Sequence, residues 1–310
     1  MLRPDFSHLK PGNLLFILLL LFVGCLIFSS LLSMGVAYLF YGKEALQAVS
    51  ALNPGDKSFA GVLRLMQALN HMGSFLLTSV LFIAFAERPD DKKRLRGDIP
   101  GGKQLWLCIL LVFVSAPWIA YVYEWNRHLP FPLFHKMGQF IANYEKNTEK
   151  LINALLADKS TSGLLANLFV MAFLPALGEE LLFRGILQRH LQRWWGNIHL
   201  AILVTAFIFS ILHLSFSGFF PRWLLGIILG YLFYFSGNIW LPITAHFINN
   251  SIAVLAGFLY HNNLSDTPFE DFGYTSNLWI NLVSLGLTVV ILSWFALNHN
   301  PRREQNLLKP

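Results

Sequence analysis

Charged residues are scarce in this sequence of 310 residues. Only 13% of the residues are Asp, Glu, Lys or Arg, whereas soluble domains average about 25%. Hydrophobic residues make up 55% of the chain, and the mean hydropathy is +0.52. This composition argues against an ordinary water-soluble globular domain.

Cysteine is also nearly absent, and a familiar zinc motif is missing. Cys25 and Cys108 both lie inside apolar runs, so we interpret them as small core or lipid-facing residues and expect no disulfide. The helical pattern His-Glu-x-x-His does not occur. The formal net charge of +6 comes from basic loops, which suits contact with anionic lipid headgroups and does not call for nucleic acid.

What the sequence has instead is a series of long segments without any charged residue. A helix that crosses a bilayer needs about 20 such residues. The longest uncharged segment is broken at Ser236-Gly237-Asn238, which divides it into two spans. We therefore predict an all-α, polytopic membrane protein with about eight transmembrane helices. The predicted spans are 13–41, 62–86, 104–123, 161–187, 199–217, 222–236, 239–260 and 276–297.

The ends of the predicted spans indicate an orientation in the membrane. The apolar segment after Lys10 is longer than the roughly 7–15 residues of a signal-peptide core, so we interpret it as a first transmembrane helix. Basic residues crowd against span ends in 88–103, 189–193 and 302–309, which would all face the cytoplasm if the N-terminus does. We expect a multi-pass protein of a bacterial plasma membrane with both termini cytoplasmic.

One sizeable segment, 132–159, does not span. Its apolar residues recur at helical spacing between charged residues, so we predict an amphipathic loop helix. It lies either on the membrane surface or in solvent as a connector, and the pattern fits both. No internal repeat is evident, and a single membrane domain over 1–310 is the simplest description.

Placing an ionisable side chain inside a membrane-spanning helix costs free energy, so such residues are candidates for a functional role. The fourth predicted span contains Glu179, Glu180 and Arg184. Glu180 and Arg184 are four residues apart, so they share a helical face and can pair. Glu179 points about 100° away, and an unpaired buried carboxylate suits a general base.

Two further spans place polar residues at a similar depth. His213 lies in the fifth span, and His246 and Asn250 lie one turn apart in the seventh. Taken singly, each is more often an interhelical hydrogen-bonding residue, and Glu180–Arg184 is equally compatible with a structural ion pair. Because three helices place polar groups at a similar depth in the membrane, we expect a functional site formed by spans four, five and seven. Arg64, Gln67 and His71 near the second span are assigned no chemical role, since Arg64 can reach outward to the interface.

Two kinds of hydrolytic chemistry fit these residues. Glu179, His213 and His246 would make a plausible two-histidine, one-carboxylate set for zinc or another divalent metal. Without a metal, Glu179 and His213 would hold a water, Glu179 would take its proton, and His246 with Asn250 would stabilise the oxyanion. The sequence leaves both possibilities open, and no other cofactor is expected.

At these residues the chain resembles the CAAX-processing and bacteriocin-immunity protease family, also called CPBP or Abi. Three motifs carry the resemblance, in order along the chain. They are Glu-Glu-x-x-x-Arg at Glu179, Glu180 and Arg184, then Phe-x-x-x-His at Phe209 and His213, then His-x-x-x-Asn at His246 and Asn250. Each motif is weak alone, and together they cover about 161–260.

The resemblance implies an intramembrane endopeptidase that cuts membrane-associated or lipidated, CAAX-like substrates. It implies that Glu179 and His213 activate water, that His246 and Asn250 bind the oxyanion or that His246 ligates a metal, and that Glu180 and Arg184 orient the site. Two alternatives remain. Buried charges also mark transporters and ion paths, and a non-catalytic bacteriocin self-immunity protein would keep the same fold. The expected partners are the lipid bilayer and a membrane-associated peptide or protein substrate.

Overall fold

The computed structural model describes residues 6, 8–51, 59–89, 98–129, 135–268 and 271–298. These residues form helices, turns and loops without any strand, which confirms the predicted all-α membrane fold. The helices of the described segments are α1 Pro11–Ser50, α2 Phe59–Ala86, α3 Gly102–Arg127, α4 His135–Leu156, α5 Thr161–Trp195, α6 Ile198–Ile211, α7 Phe219–Ser236, α8 Trp240–His261 and α9 Leu278–Leu297.

Seven of these helices are long and apolar enough to cross a membrane, namely α1, α2, α3, α5, α7, α8 and α9. The protein is therefore an integral membrane protein with many spans. The helix α1 contains a break at Gly42, whose φ of 79° and ψ of 177° are not helical. This break coincides with the predicted end of the first span, and helical structure then continues to Ser50.

The fifth predicted span is shorter than expected. We predicted a helix over 199–217, but α6 has 14 residues and ends at Ile211. At 1.5 Å per residue it is about 21 Å long, against about 30 Å for the hydrocarbon core. Past its end Leu214 adopts a positive φ of 49°, which no right-handed helix contains. His213 therefore lies in a turn and not in the helix to which the sequence analysis assigned it.

Two of the long helices contain wide, π-helical turns. They occur in α2 at Met72–Leu77 and in α5 at Leu168–Phe173 and Leu181–Gln188. Turns of this type are rare and are often found at functional sites. The two π-helical turns of α5 flank the short α-helical segment Leu174–Glu180, which ends on the two adjacent glutamates.

Two of the apolar clusters among the described residues join most of the long helices, and α5 belongs to the second of them. One cluster joins α3, α7, α8 and α9 and includes Leu111, Leu229, Leu241 and Ile291. The other joins α1, α2 and α5 and includes Leu14, Phe82 and Ile186. Because α5 also packs against α8, its polar residues face the centre of the bundle.

The two cysteines follow the sequence interpretation. Cys25 and Cys108 are both buried and free, and both lie in apolar surroundings. The Cys108 thiol donates to the backbone oxygen of Leu241 at 3.2 Å. Cys108 therefore contributes to the contact between α3 and α8.

A helix occupies most of the segment 132–159, although 132–134 lie outside the described residues. This helix, α4, packs against α2, α5 and α8. Its C-terminal residues Leu155 and Leu156 are buried, while Phe140 and Tyr144 are exposed. The apolar face of α4 is thus covered at one end only, and its location on the membrane surface stays a prediction.

Candidate active site

A buried ion pair lies in the middle of α5. The Arg184 guanidinium donates through Nη1 to Glu180 Oε1 at 2.8 Å, and neither side chain is exposed. His246 of α8 donates through Nδ1 to the same Glu180 oxygen at 2.8 Å, since a carboxylate accepts. Arg184 also donates through Nη2 to the Gly226 carbonyl of α7 at 3.0 Å. Glu180 and Arg184 thereby join α5, α7 and α8 and fix one nitrogen of His246.

Glu179 is the neighbour of this pair in sequence but not a member of it. His71 Nδ1 lies 3.9 Å from its Oε1, and His246 Nε2 lies 4.0 Å from its Oε2. Both distances are longer than a hydrogen bond. Glu179 is 4% exposed, and its Oε2 accepts no hydrogen bond from the described residues. A buried carboxylate with spare acceptor capacity between two imidazoles is suited to take a proton from water.

The sequence analysis assigned no chemical role to His71, but the structure places this residue beside Glu179. It lies on α2, it approaches Glu179 more closely than His246 does, and its ring stacks on Phe75 at 5.3 Å between centroids. A signal was present, since Arg64, Gln67 and His71 are spaced three and four apart and share one helical face. Nothing in the sequence showed that this face of α2 meets α5.

Arg64, on the same face of α2, also differs from the expectation. Instead of extending to the membrane interface without a partner, Arg64 donates through Nη2 to Asp158 Oδ2 at 2.8 Å. Its Nε donates to Asn167 Oδ1 at 2.9 Å. Arg64 therefore ties α2 to the start of α5 and to the turn before it.

Phe209 contacts His213 twice, once through its backbone carbonyl and once through its ring. Its Nδ1 donates to the Phe209 carbonyl at 2.8 Å, because a carbonyl oxygen only accepts. This bond leaves Nε2 as the nitrogen available for chemistry. The His213 ring also meets the Phe209 ring edge-on at 4.9 Å between centroids.

Phe209 is the common neighbour of three polar groups. Besides His213, its ring packs against His246 at 5.8 Å, and the Arg184 guanidinium lies 5.1 Å above its centroid. Phe183 completes the cluster at 5.3 Å. The aromatic residue of the second motif thus places its own histidine beside the residues of the other two motifs.

Asn250 lies on α8 one turn beyond His246 and is partly buried. Its side-chain oxygen accepts a hydrogen bond from Asn249 at 3.3 Å. This bond directs the Asn250 amide nitrogen away from Asn249, where it can act as a donor. The oxyanion role of Asn250 stays a prediction.

The side chains do not fit a metal centre. Among the described residues no group of three His, Cys, Asp or Glu side chains is arranged to hold an ion. His246 Nε2 and Glu179 Oε2 lie 4.0 Å apart, and no third His, Cys, Asp or Glu side chain of the described segments completes a ligand set with them. A zinc site needs three ligand atoms at about 2.0–2.2 Å from one point. We therefore derive no step through a metal.

A second buried polar cluster, which the sequence analysis missed, lies at the end of α2. Glu87 is 2% exposed and accepts from His190 Nε2 at 3.1 Å. Arg189 and Arg193 approach the same carboxylate at 3.7 and 3.9 Å. We had counted these arginines among the loop charges that set orientation. The cluster joins α2 to the last turns of α5, well along the helix from Glu179.

Comparison with known proteins matches part of the chain to one family. Residues 161–252 match the family described as type II CAAX prenyl endopeptidase Rce1-like. The matched range begins with α5 and ends in α8, so it includes Glu179, Glu180, Arg184, Phe209, His213, His246 and Asn250. No solved structure matches the chain significantly.

Two proteins of Bacillus subtilis (strain 168) resemble part of the chain. The uncharacterized protein YpbD is 32% identical over 93 residues, which are 28% of this chain and 43% of YpbD. The sporulation-killing factor biosynthesis protein SkfC is 33% identical over 93 residues, which are 27% of this chain and 18% of SkfC. The chain thus spans less than half the length of either relative.

Proposed function

We propose, from the match of residues 161–252 to the Rce1-like CAAX prenyl endopeptidase family, that this protein is an intramembrane endopeptidase. The observation that carries the proposal is the state of Glu179. It is a buried carboxylate whose nearest described cationic or imidazole groups lie 3.9 and 4.0 Å away, beside a second carboxylate whose Oε1 is bonded to both Arg184 and His246 at 2.8 Å. A structural ion pair explains Glu180 but gives no reason for Glu179.

In the proposed reaction Glu179 acts as the general base. A water held between Glu179 and His213 Nε2 gives its proton to Glu179, and its oxygen attacks the carbonyl carbon of the scissile peptide bond. Asn250 donates its amide N–H to the oxyanion that forms on the carbonyl oxygen, and His246 donates to it from Nε2 in the imidazolium form, while the Nδ1–H stays bonded to Glu180. The carbon–nitrogen bond then breaks, and Glu179 returns the proton to the leaving amine.

Glu180 and Arg184 support this reaction without touching the substrate. The Glu180 carboxylate binds His246 Nδ1, so the opposite nitrogen, Nε2, faces Glu179 and the reacting groups. Positioning of this kind keeps reacting atoms within a fraction of an ångström of the productive geometry. The proposed mechanism is of the glutamate type and contains no metal step.

The proposed substrate is a membrane-associated peptide or protein, lipidated or simply hydrophobic. The name of the matched family refers to prenylated CAAX sequences, and the name of SkfC refers to the biosynthesis of a killing factor. A membrane-associated peptide or protein fits the family name and a site that lies among helices able to span a membrane, and we propose this substrate class for the present chain.

Purified protein in liposomes, offered lipidated and unlipidated hydrophobic peptides, tests the proposal. We expect cleavage by the natural sequence and a fall of about 10²- to 10⁴-fold in kcat for Glu179→Gln, which removes the base. Glu149→Gln, an exposed change on α4, is the matched control. Cleavage that persists undiminished in Glu179→Gln would refute Glu179 as base.

The same preparation separates the alternatives. Loss of activity with a strong chelator, restored by zinc, would overturn the metal-free mechanism. Ion flux through the liposomes that depends on Glu179, without peptide cleavage, would support a transporter instead. Protection of cells from a bacteriocin by both the natural sequence and Glu179→Gln would support a non-catalytic immunity protein.

A further inference from the structure

His213 lies in a loop that a distant helix holds in place. We define the His213 loop as residues 212–218, between α6 and α7. Its anchor on the α6 side is the bond from His213 Nδ1 to the Phe209 carbonyl. Its anchor on the other side is Glu145, a residue of α4 that is about 70 positions earlier in the chain.

Glu145 receives three hydrogen bonds from this loop. The Ser215 hydroxyl donates to Glu145 Oε1 at 2.7 Å, and the Ser217 hydroxyl donates to the same atom at 2.7 Å. The Ser217 backbone N–H donates to it at 3.0 Å. The Ser215 oxygen in turn accepts from the Gly218 N–H at 3.3 Å. Hydrogen bonds to a charged acceptor are among the stronger ones in proteins.

The backbone of the loop is strained beside the histidine. Leu214 has a φ of 49°, in the left-handed region that side chains other than glycine rarely adopt. Such a conformation persists only when the surrounding structure enforces it, and it tends to occur at functional sites. The bonds to Glu145 begin at Ser215, immediately after the strained residue.

We propose that Glu145 is a positioning residue for His213. Through Ser215 and Ser217 it holds the loop in the strained conformation that fixes the direction of His213 Nε2. The inference rests on the proposed function, since it assigns a catalytic role to His213. It makes α4, a helix that contributes no side chain to the reaction, part of the apparatus that aligns the water.

The activity test compares two changes at Glu145 in the full-length protein. Glu145→Ala removes the acceptor, and we expect kcat to fall about 10- to 100-fold while KM changes little, because misplaced catalytic groups slow the chemical step. Glu145→Gln keeps an acceptor oxygen, so we expect it to recover most of the loss. Glu149→Ala, one turn along the exposed face of α4, should match the natural sequence.

A second change tests the strain directly. Glycine adopts a positive φ without steric cost. Leu214→Gly in the Glu145→Ala background should therefore recover part of kcat, about threefold or more, because the loop no longer needs Glu145 to enforce the conformation. No recovery by either Leu214→Gly or Glu145→Gln would overturn the positioning role.

A measurement without catalysis separates this inference from the proposed function. In Glu145→Ala we expect faster hydrogen exchange of the Ser217 and Gly218 amides, and faster modification of His213 by diethylpyrocarbonate, each by about tenfold relative to Glu149→Ala. Unchanged exchange and modification would overturn the inference even if the protein cleaves peptides. If no peptide is cleaved, the proposed function fails, and these rates still decide whether Glu145 holds His213.

Discussion

At the scale of single residues, the two adjacent glutamates have opposite surroundings. Glu180 Oε1 accepts hydrogen bonds from both Arg184 and His246, whereas no described side chain lies within hydrogen-bond distance of the Glu179 carboxylate. The sequence spacing predicted the pairing of Glu180, because residues four apart share a face. The same spacing could not show which helix would meet Glu179, since that depends on contacts between distant segments.

The bonds that join Glu180 to Arg184 and His246 should contribute to the stability of the folded protein. Glu180→Ala would leave the buried Arg184 guanidinium uncompensated, and we expect a loss of about 3–5 kcal/mol in the free energy of unfolding. Reversible unfolding in detergent measures this loss, with Glu149→Ala as the exposed control. A loss below about 1 kcal/mol would mean that Arg184 finds another partner or water.

His71 received no role from the sequence, yet it lies beside Glu179 in the structure. Because His71 Nδ1 lies 3.9 Å from Glu179 Oε1, we expect His71→Ala to lower kcat about tenfold, equivalent to about 1.4 kcal/mol. Gln67→Ala, one turn away on α2, is the control. Equal activity of His71→Ala and the natural sequence would show that the contact is incidental.

At the scale of the helices, the sequence predicted the long elements well and their ends less well. The uncharged runs located seven spanning helices, because hydrophobic length is a strong signal. The end of α6 at Ile211 was missed, since the following residues are as apolar as the helix itself. The Arg189, His190 and Glu87 cluster was missed because charges near a span end look like loop charges.

Gly226 is one of two glycines that let α7 pack closely against α6. A Cβ added to Gly226 would lie 2.9 Å from the Ala206 Cβ and 3.1 Å from its Cα. We expect Gly226→Ala to cost about 1–3 kcal/mol of unfolding free energy, because the helices must separate. Thermal unfolding in detergent measures the cost, and adding Ala206→Gly should recover part of it by restoring the space.

The junction between α4 and α5 should respond to acid. A hydrogen bond from the Ser160 hydroxyl, together with the Arg64 guanidinium, lowers the pKa of Asp158 below its usual value of 3.8, although partial burial opposes the shift. A lowered pKa in the folded state means that the stabilisation is present above pH 3.8 and is lost as pH falls through the folded value.

The size of this effect is limited by solvent. The Asp158 side chain is 28% exposed, so we expect the contribution to be below about 1 kcal/mol. Unfolding curves at neutral pH and near pH 3 should show a smaller acid-induced loss for Asp158→Asn than for the natural sequence. An identical loss in both proteins would contradict the assignment.

At the scale of the whole molecule, the orientation in the membrane stays a prediction. The basic residues 92–96 and 302–309 on which it depends lie outside the described residues. With both termini cytoplasmic, the segment that contains Ile99 faces the cytoplasm and the turn that contains Leu264 faces outward. Both side chains are well exposed, at 94% and 70%.

Single cysteines at these positions test the orientation. In a background that lacks Cys25 and Cys108, an impermeant maleimide should label Leu264→Cys in intact cells. It should label Ile99→Cys only after the membrane is opened. The reverse pattern would show that the termini lie outside.

The short helix α6 has a consequence for how water reaches the site. A helix of about 21 Å leaves roughly 9 Å of the hydrocarbon thickness uncrossed at its end. A bilayer can adapt to a helix that is too short by becoming thinner around it. The hydroxyls of Ser215 and Ser217 lie just past the end of α6 and offer polar groups near which water can bind. We expect the membrane to dip towards His213, so that hydrolysis draws its water through a local depression in the lipid.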